Sequence, residues 1–312
     1  MTEYYAGIDG GQSSTRAIVA GPDGRILGRG TAGPADEVGE GPGSSRLAGA
    51  LEGALEEAVR AAGLPPATRL AGVVAGISGY EGRVRGRPPA LTAERTLLLH
   101  DAPIAHAGAF AFGPGVAVIA GTGSVVYACN ARGEPVTLGG WGYLFGDDGS
   151  AFGLARAALR EAMRDADSGV ARGLQAMVLE HFGRESLREV ARAVYAGEIA
   201  RDALAAFAQP LVRAAESGDE RVAVLIRDGS MALAILSLYA AQHAGLGSTP
   251  AVACLGGFFD DATIRSGFAQ ALRTLLPGVR LTRPLHAPVV GALLLAYREA
   301  GIPVATIEEG PP

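Results

Sequence analysis

The strongest constraint on the fold is a layout that occurs twice. Near the N-terminus, Tyr4 to Ile8 is a short apolar run, Asp9-Gly10-Gly11-Gln12-Ser13-Ser14 is rich in turn residues, and Thr15 to Ala20 is apolar and β-branched. The same order returns further on: an apolar run from Gly115 to Gly121, the turn Thr122-Gly123-Ser124, and a second apolar run from Val125 to Asn130. A strand, a small-residue turn and a strand make a hairpin signature. Two copies of one such unit predict two related domains. The copies share topology with little residue identity, and 312 residues are enough for two cores.

The rest of the chain fills in around these hairpins. Arg25 to Gly30 extends the first into an antiparallel meander, and a Gly/Pro-rich loop covers Gly33 to Gly43. Leu47, Leu51, Leu55 and Val59 are spaced for a helix over Ser44 to Gly63. Leu70 to Ile77 reads as a buried strand, and Leu97 to Leu99 as a short one ending at His100-Asp101. Helical patterns dominate from Ser150 to Gly245, with breaks near Gly183, Gly197 and Gly218. A late strand, Pro250 to Leu255, runs into Gly256-Gly257, and a final helix spans Ala287 to Ala300. The tail to Pro312 is expected to fray. The predicted domains are 1–111, completed by the C-terminal helix at 287–312, and 112–286 with a helical insertion.

Composition excludes several function classes. A formal net charge of -5 gives no basic patch for nucleic acid or an anionic membrane. All 27 basic residues are arginine. Without lysine the chain can have neither a Walker-type P-loop nor a protein-kinase strand lysine, and no Schiff-base chemistry. Cys129 and Cys254 lack metal-ligand spacing and lie in apolar runs, as free buried thiols do. The N-terminal residues lack a signal-peptide pattern, and no apolar run without turn residues approaches membrane-span length. A cytoplasmic protein is expected.

Four motifs carry chemistry. In Gly7 to Val19, a strand ends on Asp9, Gly10 and Gly11 free the backbone to turn, and Gln12, Ser13, Ser14 and Thr15 follow. Hydroxyls beside exposed N–H groups can cradle phosphate without lysine, and a carboxylate at the edge can hold hydrated Mg²⁺. Alone, this is as well explained by an ordinary hairpin. The second motif, Gly121-Thr122-Gly123-Ser124, repeats the arrangement. The third runs from Leu138 to Arg156, where five glycines surround the only Trp, and Asp147-Asp148 precede Ser150, a helix N-cap candidate. Capping and helix-dipole compensation explain one carboxylate but not the glycine density. In the fourth, a buried strand meets Gly256-Gly257, which permits close approach of a flat ring or serves as a plain βα turn. Asp101 stands at a strand end, placed to accept a proton from a hydroxyl or to cap the helix that begins near Pro103.

In this order and spacing the four motifs resemble the family of N-acetylglucosamine kinases and BadF/BadG/BcrA/BcrD-type ATPases, over essentially the whole chain. The segment GGWGYLFGDDGSAFG is the most specific part. The resemblance implies an α/β fold of two ribonuclease-H-like (actin-like ATPase) domains with a cleft between them, ATP and Mg²⁺ as cofactors, and a homodimer. It implies phosphate contacts from Asp9 to Thr15 and from Gly121 to Ser124, adenosine contacts at Gly256 and Gly257, and a metal role for Asp9. It makes Asp101 the catalytic carboxylate and places Trp141, Gly142 and Asp147 against the sugar. The implied activity is phosphorylation of an amino sugar, N-acetylglucosamine to the 6-phosphate or glucosamine.

Two departures bear on this. Where family sugar kinases often carry an Asn, this chain aligns Asp36, which accepts but cannot donate when ionised and so leaves an ammonium-bearing sugar open. The bridging cysteines of the family's acyl-CoA reductase activators have no counterpart at Cys129 or Cys254. An ATPase acting on a partner protein is the alternative activity; a sugar-responsive regulator lacks a DNA-binding segment to support it.

Overall fold

A computed structural model describes residues 3–37, 40–169, 173–303 and 307. The expected fraying of the tail concerns residues that, apart from 301–303 and 307, lie outside this set. Chain packing divides the molecule into two compact units. The first comprises 1–117, 127–135 and 282–312, and the second 118–126 and 136–281.

The first sheet is ordered β3-β2-β1-β4-β5, from β1 (Tyr5–Gly10), β2 (Thr15–Ala20), β3 (Ile26–Ala32), β4 (Leu70–Ile77) and β5 (Ala93–His100). The first three strands form the expected antiparallel meander. β4 and β5 then add parallel to β1, in a register that aligns Gly10 with Ile77 and Ile77 with His100. The carboxyl ends of three parallel strands therefore lie along one edge, where α/β sheets place their ligands. β5 is eight residues rather than three. It is the edge strand, and its first residues, exposed and charged, carry no hydrophobic signal.

Helices cover both faces of this sheet. On one face, α1 (Arg46–Ala61) buries Leu47, Leu51, Leu55 and Val59 against β1–β3. Contact is at backbone distance: a Cβ at Gly28 would lie 2.1 Å from Ala58 O, and one at Gly30 2.1 Å from Ala54 O. On the other, α2 (Asp101–Phe110) packs against α10 (Pro288–Ala300). Val289, Leu293 and Tyr297 of α10 join Tyr5 and Ile18 in one core cluster. A Cβ at Gly7 would meet Leu293 N at 2.4 Å. The Tyr297 hydroxyl donates to the Gly21 carbonyl.

The second sheet is ordered β10-β9-β6-β7-β8, from β6 (Gly115–Ala120), β7 (Ser124–Cys129), β8 (Pro135–Gly139), β9 (Ala251–Leu255) and β10 (Arg280–Thr282). Between β8 and β9 run α3 (Ala151–Asp167), α4 (Gly173–Phe182), α5 (Leu187–Tyr195), α6 (Arg201–Ala206), α7 (Ala208–Glu216) and α8 (Glu220–His243), and α9 (Ala262–Leu275) follows a short 3₁₀ turn. α8 is long and apolar enough, by length and composition alone, to cross a membrane, as buried core helices also are, and Arg227, Asp228, Gly229 and Ser230 interrupt its apolar run. It packs against α3, α7 and α9. Cys129 and Cys254 are free and only partly buried.

Candidate functional site

The first turn is closed by Gly11 N–H donating to Ser14 O at 3.0 Å. The side chains of Ser13 and Ser14 are exposed, and Gln12 Nε2 donates to Ser78 Oγ at 3.1 Å. Thr15 departs from expectation. It is fully buried, and its hydroxyl donates to Gly33 O at 2.8 Å. Strand alternation turns it inward, so its hydroxyl pins the loop after β3 and faces no ligand.

Asp9 is the penultimate residue of β1, and Asp101 begins α2 directly after β5 ends at His100, both at the carboxyl edge of the aligned strands. Burial raises the Asp9 carboxyl to about 7, the charge of Asp101 adds to this, and Arg16 opposes it. Asp101 does not cap its own helix. His100 is the N-cap, with Nδ1 3.1 Å from Ala102 N and 2.8 Å from Asp101 Oδ1. One nitrogen serves only one of these at a time: unprotonated it accepts from the amide, protonated it donates to the carboxylate. Burial lowers the His100 pKa, but hydrogen bonding and charge from Asp101 outweigh it, and the net shift is upward. Apart from this contact, Asp101 Oδ1 is buried with no hydrogen-bond partner. His106, by contrast, is held near 4 by burial and faces Gly115 O at 3.2 Å, a core histidine.

Asp36 is buried and paired with Arg46 Nη2 at 3.0 Å, while Nη1 of the same guanidinium meets Glu40 at 3.0 Å. The cation anticipated for Asp36 is thus supplied by the protein, from the first turn of α1.

In the second unit, Gly121 N–H donates to Gly123 O at 2.9 Å. Ala151 and Phe152, at the start of α3, donate to the carbonyls of Gly121 and Thr122. Ser150 caps α3, accepting from Gly153 N at 3.0 Å as the sequence suggested. Ser124 is buried and fully committed: its hydroxyl donates to Asp148 O at 3.0 Å, its carbonyl accepts from Gly140 N at 3.2 Å and its N–H goes to Asp147, so the N–H groups this turn leaves for a phosphate are those of Thr122 and Gly123. Thr122 is partly exposed. Asp147, expected to face a sugar, turns instead onto this loop in a left-handed conformation (φ 62°). Its Oδ1 accepts from Ser124 N at 3.0 Å and its Oδ2 pairs with Arg201 at 2.8 Å. Arg201 in turn lies over the rings of Tyr143 and Phe152, at 5.4 and 5.9 Å.

Trp141 is 77% exposed on a loop whose Gly139, Gly140 and Gly142 all have positive φ. Arg156 braces that loop, donating to the carbonyls of Tyr143 and Gly146 and to Asp148. Gly256 adopts φ 94°, and a Cβ there would lie 2.4 Å from Ala120 O, so only glycine fits where β9 crosses the end of β6. Beside it a largely apolar cavity of about 230 Å³ is lined by Phe258, Leu225, Gly229 and Gly149, with Asp148 and Asp228 among its polar groups. No group of three or more potential metal ligands occurs among the described residues.

His100, Arg46, Arg156 and Arg201 escaped sequence reasoning. Only His100 had a local signal, its place directly before Asp101.

The model of the BadF/BadG/BcrA/BcrD ATPase family matches residues 6–296. The chain belongs to this family. Family membership implies use of ATP. A curated relative, the N-acetylmuramic acid/N-acetylglucosamine kinase of Clostridium acetobutylicum, is 24% identical over 212 residues, 66% of this chain and 68% of the relative. A solved structure of a candidate N-acetylglucosamine kinase from Chromobacterium violaceum superposes with TM-score 0.78 at 26% identity, covering 94% of this family member and 99% of that chain. A ROK family glucokinase from Streptomyces griseus, solved with glucose and AMPPNP, gives TM-score 0.56 at 18% identity over 95% and 99% of the two chains, a likeness of fold. The chain shares its actin-like α/β architecture with these two solved structures.

Proposed function

We propose that this protein is an ATP-dependent sugar kinase whose substrate is an amino sugar, N-acetylglucosamine or a close derivative. The observation that carries the reading is the pair Asp9 and Asp101 at the carboxyl edge of the first sheet. Asp101 presents a buried oxygen that, among the described residues, has no partner but His100, and its charge raises the Asp9 carboxyl. Two carboxylates in this state fit a hydrated Mg²⁺, which takes one or two protein carboxylates plus phosphate oxygens. Asp9 would hold it, and when bound the ion offsets charge on the transferring phosphoryl group.

The remaining roles fall to the chain itself. The turns Gly10 to Ser14 and Gly121 to Gly123 supply backbone N–H groups for phosphates, and Gly256, Gly257 and the adjoining apolar cavity take the adenosine. Asp101 accepts the proton of the sugar hydroxyl, held in place by His100 Nδ1 2.8 Å from its Oδ1. Trp141 and Gly142 offer an exposed surface to the sugar ring. Since Arg46 already neutralises Asp36, that carboxylate suits hydroxyl and amide donors better than an ammonium group, which favours the acetylated sugar over glucosamine. The test is ADP release from MgATP with N-acetylglucosamine, N-acetylmuramic acid, glucosamine, N-acetylmannosamine and glucose. Stimulation by an acetamido sugar is expected; hydrolysis indifferent to every sugar would refute the kinase reading and favour an ATPase that serves a protein partner.

A further inference from the structure

The Gly121–Ser124 turn rests on an ion pair. A Cβ at Gly123 would lie 2.8 Å from Asp147 Oδ1, 2.9 Å from Oδ2 and 2.8 Å from Arg201 Nη2. Asp147 is buried, and its hydrogen bond from Ser124 N–H is charge-assisted, so its ionised form shapes the turn. An uncompensated carboxylate at that distance would repel any phosphate laid on the same backbone. The compensation comes from Arg201, 54 positions along the chain. Its guanidinium is fixed by two aromatic rings, and its buried Nε has no hydrogen-bond partner among the described residues. Asp148, the neighbouring acid, is separately paired with Arg156 at 2.7 Å.

We propose that Arg201 is a positioning residue for nucleotide phosphate, cancelling the Asp147 charge beneath the second turn so that an anionic ligand can occupy it. This rests on reading the turn as a phosphate site. It makes Asp147 a component of the nucleotide site, whereas the sequence reading gave it to the sugar.

The experiment is calorimetric titration of ADP into the full-length protein at low and high salt, with folding checked by circular dichroism. Arg201→Gln should weaken ADP binding about ten-fold or more at low salt, and less at high salt. Arg201→Lys, which restores the charge, should recover most of that loss. The double variant Asp147→Asn/Arg201→Gln, which removes both charges, should return to within about three-fold of wild type, the two effects being strongly non-additive. Wild-type affinity in Arg201→Gln, or a double variant as weak as Arg201→Gln, would overturn the proposal. Should Arg201→Gln not fold, Asp147→Asn decides: with the cation uncancelled it should bind ADP more tightly than wild type at low salt only, and equal or weaker binding counts against the role. A wild-type protein that binds no ADP would remove the phosphate-site reading itself, and this inference with it.

Discussion

Asp9→Asn should make the protein more stable while abolishing its chemistry. In the fold, burial and the Asp101 charge move the Asp9 carboxyl from its ordinary 3.8 to about 7. Holding it ionised at pH 8 then opposes folding by at most about 4 kcal/mol. The residue is partly exposed, and residual solvation reduces the penalty, so a gain of about 2 to 3 kcal/mol is expected for the neutral isostere. The sign follows from proton linkage. A carboxyl with a raised native pKa binds more protons folded than unfolded, so its contribution is most favourable below pH 4 and is lost as pH rises to 7. Urea denaturation of wild type and variant across pH 4.5 to 8 measures this. The gain should be largest at pH 8 and shrink toward the acid end. A variant less stable than wild type at pH 8, or a gain that does not vary with pH, would refute the electrostatic account of this edge of the sheet.

Asp101→Asn should lower sugar-stimulated turnover by roughly two to four orders of magnitude, with ADP affinity little changed; steady-state kinetics beside calorimetry separates the two. Thr15→Val should reduce stability by about 1 kcal/mol, because the hydroxyl's bond to Gly33 O is lost, yet leave ADP affinity within about two-fold, because that hydroxyl faces a carbonyl rather than a ligand and about 1.4 kcal/mol would be ten-fold. Gly256→Ala forces a Cβ against Ala120 O in a backbone region closed to alanine; a loss of roughly 2 to 4 kcal/mol in denaturant unfolding is expected.

Backbone punctuation was the legible part of this fold. Asp9-Gly10-Gly11 and Gly121-Thr122-Gly123 announce their hairpins because turn chemistry is local, and β4 is visible because it is apolar on both faces. β8 and β10 were missed, being edge strands of five and three residues, too short for their alternation of exposed and half-buried positions to register. Side-chain roles were less accessible. Thr15 and Ser124 have the residue types of a phosphate cradle, but whether a hydroxyl faces ligand or carbonyl depends on pleat and packing. The partner of Asp36 is ten positions away and that of Asp147 fifty-four, separations at which a sequence holds no signal of who will meet.

The first unit takes its last helix from the far end of the chain. Tyr5, Ile18 and Ala20 share a core cluster with Val289, Val290, Leu293, Leu294 and Tyr297 of α10 and with Ile307. During synthesis, which proceeds from the N-terminus at about 5 to 20 residues per second, that face of the first sheet stays uncovered for almost the whole passage of the polypeptide through the ribosome. The β1–β2 hairpin is therefore among the last parts of the first unit to be completed, and premature termination anywhere before α10 leaves an apolar sheet face for a chaperone to hold or a protease to find.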